Sequence, residues 1–184
     1  MVPVLSLVVP ILLAAVFAFV ASSIIHMVLG YHRNDVRQVP KQDEVQEALR
    51  RFNLAPGDYI LPHAGPRHNV KDPAFQERVK KGPLVVMTVM RDMGMGRSLA
   101  LWFVNCLIVS IFAAYIAGRA LGPGAHYLQV FRFAGATAFA GYSLALLQNS
   151  IWWRRSWSST LLSMFDGLIY ALLTGGTFGW LWPR

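Results

Sequence analysis

The sequence predicts an all-α membrane protein, a four-transmembrane-helix bundle with a small cytoplasmic α/β loop domain between helices 1 and 2. Four stretches of the 184-residue chain carry almost no charge. Each is long enough for the roughly 20 helical residues that a hydrocarbon core of about 30 Å requires. A polar block at residues 31–97 separates the first stretch from the other three.

The apolar stretches set the bounds of the predicted membrane-spanning helices. We expect these helices at residues 4–29, 98–120, 126–151 and 157–182. Pro10 lies inside the first and is expected to kink it, because proline lacks the N–H of a helical hydrogen bond. Short connections join the last three helices, so they should be antiparallel neighbours.

The polar block is expected to fold as a small cap. Residues 41–52 place three apolar side chains on one helical face, and Asp72 before Pro73 is a good start for a second helix. The segments 59–61 and 84–89 are strand candidates that can pair. The predicted domain organisation is therefore 1–30 for transmembrane helix 1, 31–97 for the cytoplasmic cap and 98–184 for transmembrane helices 2–4.

Lysine and arginine predict the orientation in the membrane. The polar block holds twelve of the seventeen, and Arg154 and Arg155 lie in a loop on the same side. The opposite side has Arg119 and Arg184, with Arg132 near it. Because cytoplasmic loops are enriched in these residues, we expect the cap inside the cell and both termini outside.

Composition limits the partners. The net charge of +8 favours an anionic membrane surface over nucleic acid, because the chain lacks the basic and aromatic pattern of single-strand binders. The single cysteine, Cys106, excludes an intrachain disulfide and a cysteine-based metal site. Membrane lipids are the expected partners, and the sequence predicts no nucleic-acid partner, no cofactor and no metal.

Small residues recur every four positions along the fourth helix. Gly167, Ala171, Gly175 and Gly179 form a stripe down one face, which lets another helix approach closely. The favoured interpretation is packing inside the bundle. The alternative is that the stripe faces another subunit or a second copy of the chain.

A polar layer is predicted where the bundle meets the cytoplasmic side. From a rise of about 1.5 Å per residue, its members share one depth; they are His26, Asn105, Tyr142 and Asp166. Arg132 lies too far away, so Asp166 is expected to pair with His26, Arg154 or Arg155. The layer serves either as a proton relay or ligand pocket, or as a hydrogen-bonded clasp, which we favour.

Two other patterns are weaker. Ser22, His26 and Asp166 supply the residue types of a serine hydrolase, but such residues share a helix face often by chance. His63 and His68 lie near Asp58 and Asp72, and His32 and Asp35 could join them. This spacing only loosely resembles a metal site, and the histidines are expected to be solvated.

Three segments resemble a group of uncharacterised bacterial membrane proteins. They are His26-Met-Val-Leu-Gly-Tyr-His-Arg-Asn-Asp35, Ala55-Pro-Gly-Asp-Tyr59 and Gly118-Arg-Ala-Leu-Gly-Pro-Gly-Ala-His-Tyr-Leu128. The resemblance implies a bacterial origin, a shared bundle and no known activity. The expected location is the bacterial cytoplasmic (inner) membrane, as a multi-pass protein with both termini outside.

The sequence favours a non-catalytic accessory or structural subunit of a larger membrane complex. No complete catalytic motif occurs, and the small-residue stripes are suited to contact with other helices. Neighbouring subunits are also expected to hold the two apolar termini. The alternatives are a small transporter or proton-coupled carrier that uses His26 and Asp166, and a membrane enzyme acting on lipid or peptide.

Overall fold

The computed structural model describes residues 1–66 and 69–184, and most of them are helical. The chain forms two compact units. One comprises Met1–Arg37 with Met95–Arg184, and the other is Gln38–Gly94. Residues 31–37, which the sequence analysis placed in the cap, therefore belong to the helical unit.

The elements follow one another along the chain. The helices are α1 (Val8–Ile24), α2 (Gln42–Arg51), α3 (Pro73–Lys81), α4 (Met95–Ala120), α5 (Tyr127–Ser143), α6 (Leu147–Ile151) and α7 (Trp157–Trp180). The strands are β1 (Gly57–Leu61) and β2 (Val85–Val89). A 3₁₀ turn at Val4–Leu7 precedes α1, a π turn at Ile25–Leu29 follows it, and a 3₁₀ turn at Leu144–Leu146 joins α5 to α6.

Among the described residues, four helices are long and apolar enough to cross a membrane. They are Val4–Leu29, Met95–Ala120, Tyr127–Ile151 and Trp157–Trp180. This finding confirms the prediction of four long apolar helices, with ends that differ by at most a few residues from those expected.

Pro10 lies in the first turn of α1 rather than at a kink within it. The regular helix begins at Val8, and Leu7 has φ −103° and ψ 14° between the 3₁₀ turn and the helix. In a continuous α-helix the nitrogen of Pro10 would face the carbonyl of Ser6, which instead lies in the 3₁₀ turn. Proline is tolerated in the first turn because its missing N–H is not needed there.

Both termini are held by the chain itself at one end of the bundle. The backbone N–H of Val2 donates to the carbonyl of Gly118 at 2.7 Å. The N–H of Gly124 donates to the carbonyl of Pro183 at 2.8 Å, and the Trp182 indole donates to the carbonyl of Gly122 at 2.9 Å. Neighbouring subunits are thus not required to order the termini, contrary to the expectation from the sequence.

The small-residue stripe of α7 contacts α5 of the same chain. A Cβ atom on Gly175 would lie 2.8 Å from the carbonyl oxygen of Phe131 and 3.2 Å from the Cα of Gly135. A Cβ on Gly179 would lie 2.7 Å from the ring of Tyr127, and one on Gly167 would overlap the Ser143 hydroxyl. The alternative that this stripe faces another protein is therefore wrong, because α5 already occupies it.

The second unit contains the elements predicted for the polar block. Asp72 caps α3 by accepting a hydrogen bond from the N–H of Ala74 at 3.4 Å, and Pro73 is its first residue. Strands β1 and β2 pair antiparallel, with Tyr59 opposite Met87. Both the capped helix and the strand pair confirm the sequence predictions.

Candidate functional site

Asp166 is the centre of a polar cluster at the end of the bundle opposite the termini. It lies within α7, and only 2% of its surface is exposed. Its Oδ1 atom accepts a hydrogen bond from the Tyr31 phenol. Its Oδ2 atom lies 2.7 Å from Nε2 of His32. A nearly fully buried carboxylate is thus paired on both oxygens.

The backbone after α1 brings these partners to Asp166. The helix widens into a π turn at Ile25–Leu29 and then stops at Gly30, which has φ 64° and ψ 7°. This left-handed conformation suits glycine and commonly ends helices. The chain turns at this point, so that Tyr31 and His32 reach the carboxylate instead of continuing the helix. Single π turns occur often at functional sites.

Asp35 extends the cluster beyond His32. Its Oδ2 atom lies 2.6 Å from Nδ1 of His32, and Ser159 donates a hydrogen bond to the same carboxylate. The imidazole is therefore bonded on both nitrogens by carboxylates, Asp35 on one side and Asp166 on the other. The three side chains form a continuous hydrogen-bonded chain.

The surroundings shift the ionisation of the cluster residues outside the long helices. Burial opposes charge on His32, but its hydrogen bonds to Asp35 and Asp166 outweigh burial and raise its pKa above the ordinary 6.5. Burial alone would raise the pKa of Asp35, yet its hydrogen bonds with His32 and Ser159 lower that pKa below 3.8. Burial and the bond to Asp166 raise the pKa of Tyr31. These shifts favour a neutral phenol, a charged imidazole and an ionised Asp35.

His26 lies directly against His32. The two rings are stacked, with centroids 4.6 Å apart and an angle of 4° between the planes. Nδ1 of His26 lies 3.0 Å from the carbonyl oxygen of Ser22, one turn earlier in the helix. One ring nitrogen from each histidine and one oxygen of Asp166 lie within 4.8 Å of one another. Donor atoms of two imidazoles and a carboxylate thus lie close together.

A cavity of about 390 Å³ opens beside this cluster. The residues that line it are Ser22, Ser23, His26, Met27, Ser98, Leu99, Trp102, Tyr142, Leu146, Ser163, Asp166 and Tyr170. Within the described residues, the buried hydroxyls of Tyr142 and Tyr170 make no well-formed hydrogen bond, although Tyr170 lies near the Ser22 hydroxyl and Tyr142 near the Cys106 thiol. The cavity therefore offers polar groups to a guest molecule.

A second cavity of about 430 Å³ lies on the other side of the cluster. Asp35 and Ser159 line it, together with Arg155 and Asn149. It shares Ser163 with the first cavity and is more polar. The chain from Asp35 through His32 to Asp166 consequently connects residues that line the two cavities.

The structure brings three of the four predicted layer residues to the same cavity. His26, Tyr142 and Asp166 line it, whereas Asn105 on α4 is half-buried outside its lining. The partners expected for Asp166 were wrong: Tyr31 and His32 bond it, while His26 stacks on His32, and Arg155 lies with Asp35 in the other cavity.

Sequence reasoning did not connect Tyr31, His32 and Asp35 with Asp166, because they follow the end of the first helix, in the block assigned to the cap. His32 and Asp35 were considered only as additions to the weak metal pattern of that block. Two signals could have found them. Gly30 is a typical helix-ending residue, after which a chain turns. His32 and Asp35 also lie three residues apart, a spacing that lets side chains meet in a turn.

The Ser22, His26 and Asp166 pattern does not have the arrangement of a hydrolase. The Ser22 hydroxyl accepts a hydrogen bond from the Trp102 indole at 2.7 Å, and His26 bonds the backbone carbonyl of Ser22. A nucleophilic serine instead needs its hydroxyl bonded to the imidazole that accepts its proton.

The residues of the weak metal pattern in the second unit make other hydrogen bonds. Nδ1 of His63 accepts a hydrogen bond from the N–H of Gly65, Asp58 accepts one from Thr88, and Asp72 caps α3. His68 lies outside the described residues.

Comparisons with family models, with curated proteins and with solved structures find no match to this chain. The class of protein is therefore defined by its own structure: a mostly helical protein with four helices of membrane-spanning length and composition. The resemblance to bacterial membrane proteins stays a prediction.

Proposed function

We propose that this chain is a multi-pass membrane protein that binds and carries a small cation at the Asp166 cluster. The cation is either a proton or a metal ion. The observation that supports the proposal is the hydrogen-bonded chain from Asp35 through His32 to Asp166, which links residues lining two cavities. Ionisable residues within membrane helices commonly mark ion pathways and proton relays.

The proposal includes the predicted orientation. Fourteen lysines and arginines belong to the polar block and the Trp152–Trp157 connection, which lie on the same side in a four-span topology. The Asp166 cluster then lies near the cytoplasmic surface of a bacterial inner membrane, with both termini outside. Reporter fusions at Ala64 and at the C-terminus should report opposite sides of the membrane. The same response from both would overturn this orientation.

A flux measurement tests the carrier. The full chain is reconstituted into liposomes that contain a pH-sensitive dye or a zinc-sensitive dye. We expect flux of protons or zinc down an imposed gradient, and a loss of at least about tenfold in Asp166→Asn, because the paired carboxylate is on the route. Asp43→Asn, an exposed carboxylate of α2, is the matched control. Wild-type liposomes without flux of either cation, or equal flux in Asp166→Asn, would contradict the proposal.

The accessory-subunit hypothesis loses two of the observations that motivated it. The α7 stripe is occupied by α5, and the termini are bonded within the chain. The hypothesis remains a prediction, which purification in mild detergent tests through the subunits that stay bound.

A further inference from the structure

We propose that the cluster of His26, His32 and Asp166 binds a divalent transition-metal ion of the zinc class. This inference rests on the proposed function and names its cation. It departs from the sequence analysis, which predicted no metal. Two histidines and one carboxylate form a ligand set that zinc and related ions use.

The first support is the convergence of the donor atoms. One nitrogen from each histidine and one oxygen of Asp166 lie within 4.8 Å of one another. Bond lengths of about 2.0–2.2 Å in a tetrahedral zinc site separate neighbouring ligand atoms by about 3.3 Å. The 2.7 Å between Nε2 of His32 and Oδ2 of Asp166 must therefore widen by less than about 1 Å to admit an ion.

The second support is that each proposed ligand has its own outer partner. Nδ1 of His26 bonds the carbonyl of Ser22, Nδ1 of His32 bonds Asp35, and one oxygen of Asp166 bonds the Tyr31 phenol. Metal-binding histidines commonly donate their second N–H to a carbonyl or a carboxylate, and ligating carboxylates are hydrogen-bonded in turn. The ion would then replace the hydrogen bond between Nε2 of His32 and Oδ2 of Asp166, with Nε2 of His26 as the third ligand atom.

The third support is access. His26 is exposed, and both His26 and Asp166 line the cavity of about 390 Å³. Three protein ligands leave one position of a tetrahedral ion open. A water molecule can take that position from the cavity. A site with an open position suits an ion that is exchanged better than one that only supports the fold.

Cobalt(II) titration of the full chain in detergent tests the site. Four-coordinate cobalt bound to imidazole absorbs visible light far more strongly than the hydrated ion. We expect one equivalent of cobalt to produce this absorption and zinc to abolish it. His26→Gln should weaken binding by about 100-fold or more, and Asp35→Ala by about 10- to 100-fold through the lost outer bond. His63→Ala, in an exposed histidine of the second unit, should bind like the wild type.

Two further variants keep the test decisive if a substitution harms folding. His26→Asp replaces one ligand by another and should restore binding that His26→Gln loses. Tyr31→Phe retains the ring and should weaken binding less than His26→Gln. Equal cobalt affinity in the wild type, His26→Gln and His63→Ala, or only the weak absorption of hydrated cobalt, would overturn the proposal.

The flux experiment separates this inference from the proposed function. If the wild type binds no cobalt or zinc but loses proton flux on Asp166→Asn, the metal site is wrong and the proton is the cation. If neither metal binding nor flux depends on Asp166, both proposals are wrong.

Discussion

The two ends of the helical unit are packed by different means. At the end with the termini, the core consists mainly of small and aliphatic side chains such as Leu7, Ala14 and Ala117, and backbone groups bond the termini. At the Asp166 end, the core adds Tyr142 and Tyr170 to its small side chains, and two cavities flank buried polar groups. The first end is thus held by apolar contacts and backbone hydrogen bonds, whereas the second places polar side chains beside space that a guest can occupy.

The close contact between α5 and α7 should be most sensitive to substitution at Gly175. Gly175→Leu places side-chain atoms where the backbone of Phe131 and Gly135 lies, and backbone cannot move aside cheaply. We expect a loss of more than about 3 kcal/mol in the free energy of unfolding, seen as loss of a single folded peak in size-exclusion chromatography. Gly176→Leu is the matched control, because the nearest atom to its Cβ is the Tyr127 hydroxyl at 3.7 Å. Equal damage from both variants would contradict the tight α5–α7 contact.

Substitutions at the Asp166 end of the bundle should reduce stability less than Gly175→Leu does. Asp166→Ala leaves the donors of Tyr31 and His32 without their acceptor, which costs about 1–3 kcal/mol for each buried group. Asp166→Asn keeps an oxygen for the Tyr31 phenol and should cost less. Thermal unfolding in detergent measures both. If Asp166→Ala unfolds at the wild-type temperature, the cluster does not contribute to stability.

The smallest effect is expected from pH, in protein treated with a chelator. The raised pKa of His32 means that its contribution to stability is present below the ordinary 6.5 and is lost as pH rises through the higher folded value. The lowered pKa of Asp35 means that its contribution is present above 3.8 and is lost as pH falls through the lower folded value. We expect the unfolding temperature to decline on the alkaline side, and His32→Gln to flatten that decline. An unchanged slope in His32→Gln would contradict the charged pair.

Sequence alone predicted the parts of the fold that depend on local patterns. The absence of charge over residues 4–29 predicted the extent of the first long apolar helix. The Asp72–Pro73 pair predicted the start of α3, because capping depends on a few neighbouring residues. The switch from 3₁₀ to α-helix before Pro10 was missed, because the sequence shows where a hydrogen bond is lost but not how the neighbouring backbone adapts.

The site was only partly predictable for a different reason. The rise per residue of a straight helix placed His26 and Asp166 at the same depth in the membrane. That calculation does not apply to residues beyond the end of a helix. The turn at Gly30 returns Tyr31 and His32 to Asp166, more than a hundred residues away in sequence. Which partner a buried carboxylate takes therefore depends on the backbone path and not on helix depth alone.

X-ray absorption spectroscopy of the zinc-loaded full chain can decide what the polar end of the bundle does. We predict one bound zinc whose nearest shell contains two imidazole nitrogens and one carboxylate oxygen at about 2.0–2.2 Å. The imidazole signal should fall by at least half in His26→Gln and persist in full in His63→Ala. A shell of oxygen atoms only, as in the hydrated ion, or an imidazole signal unchanged in His26→Gln, would contradict the metal site.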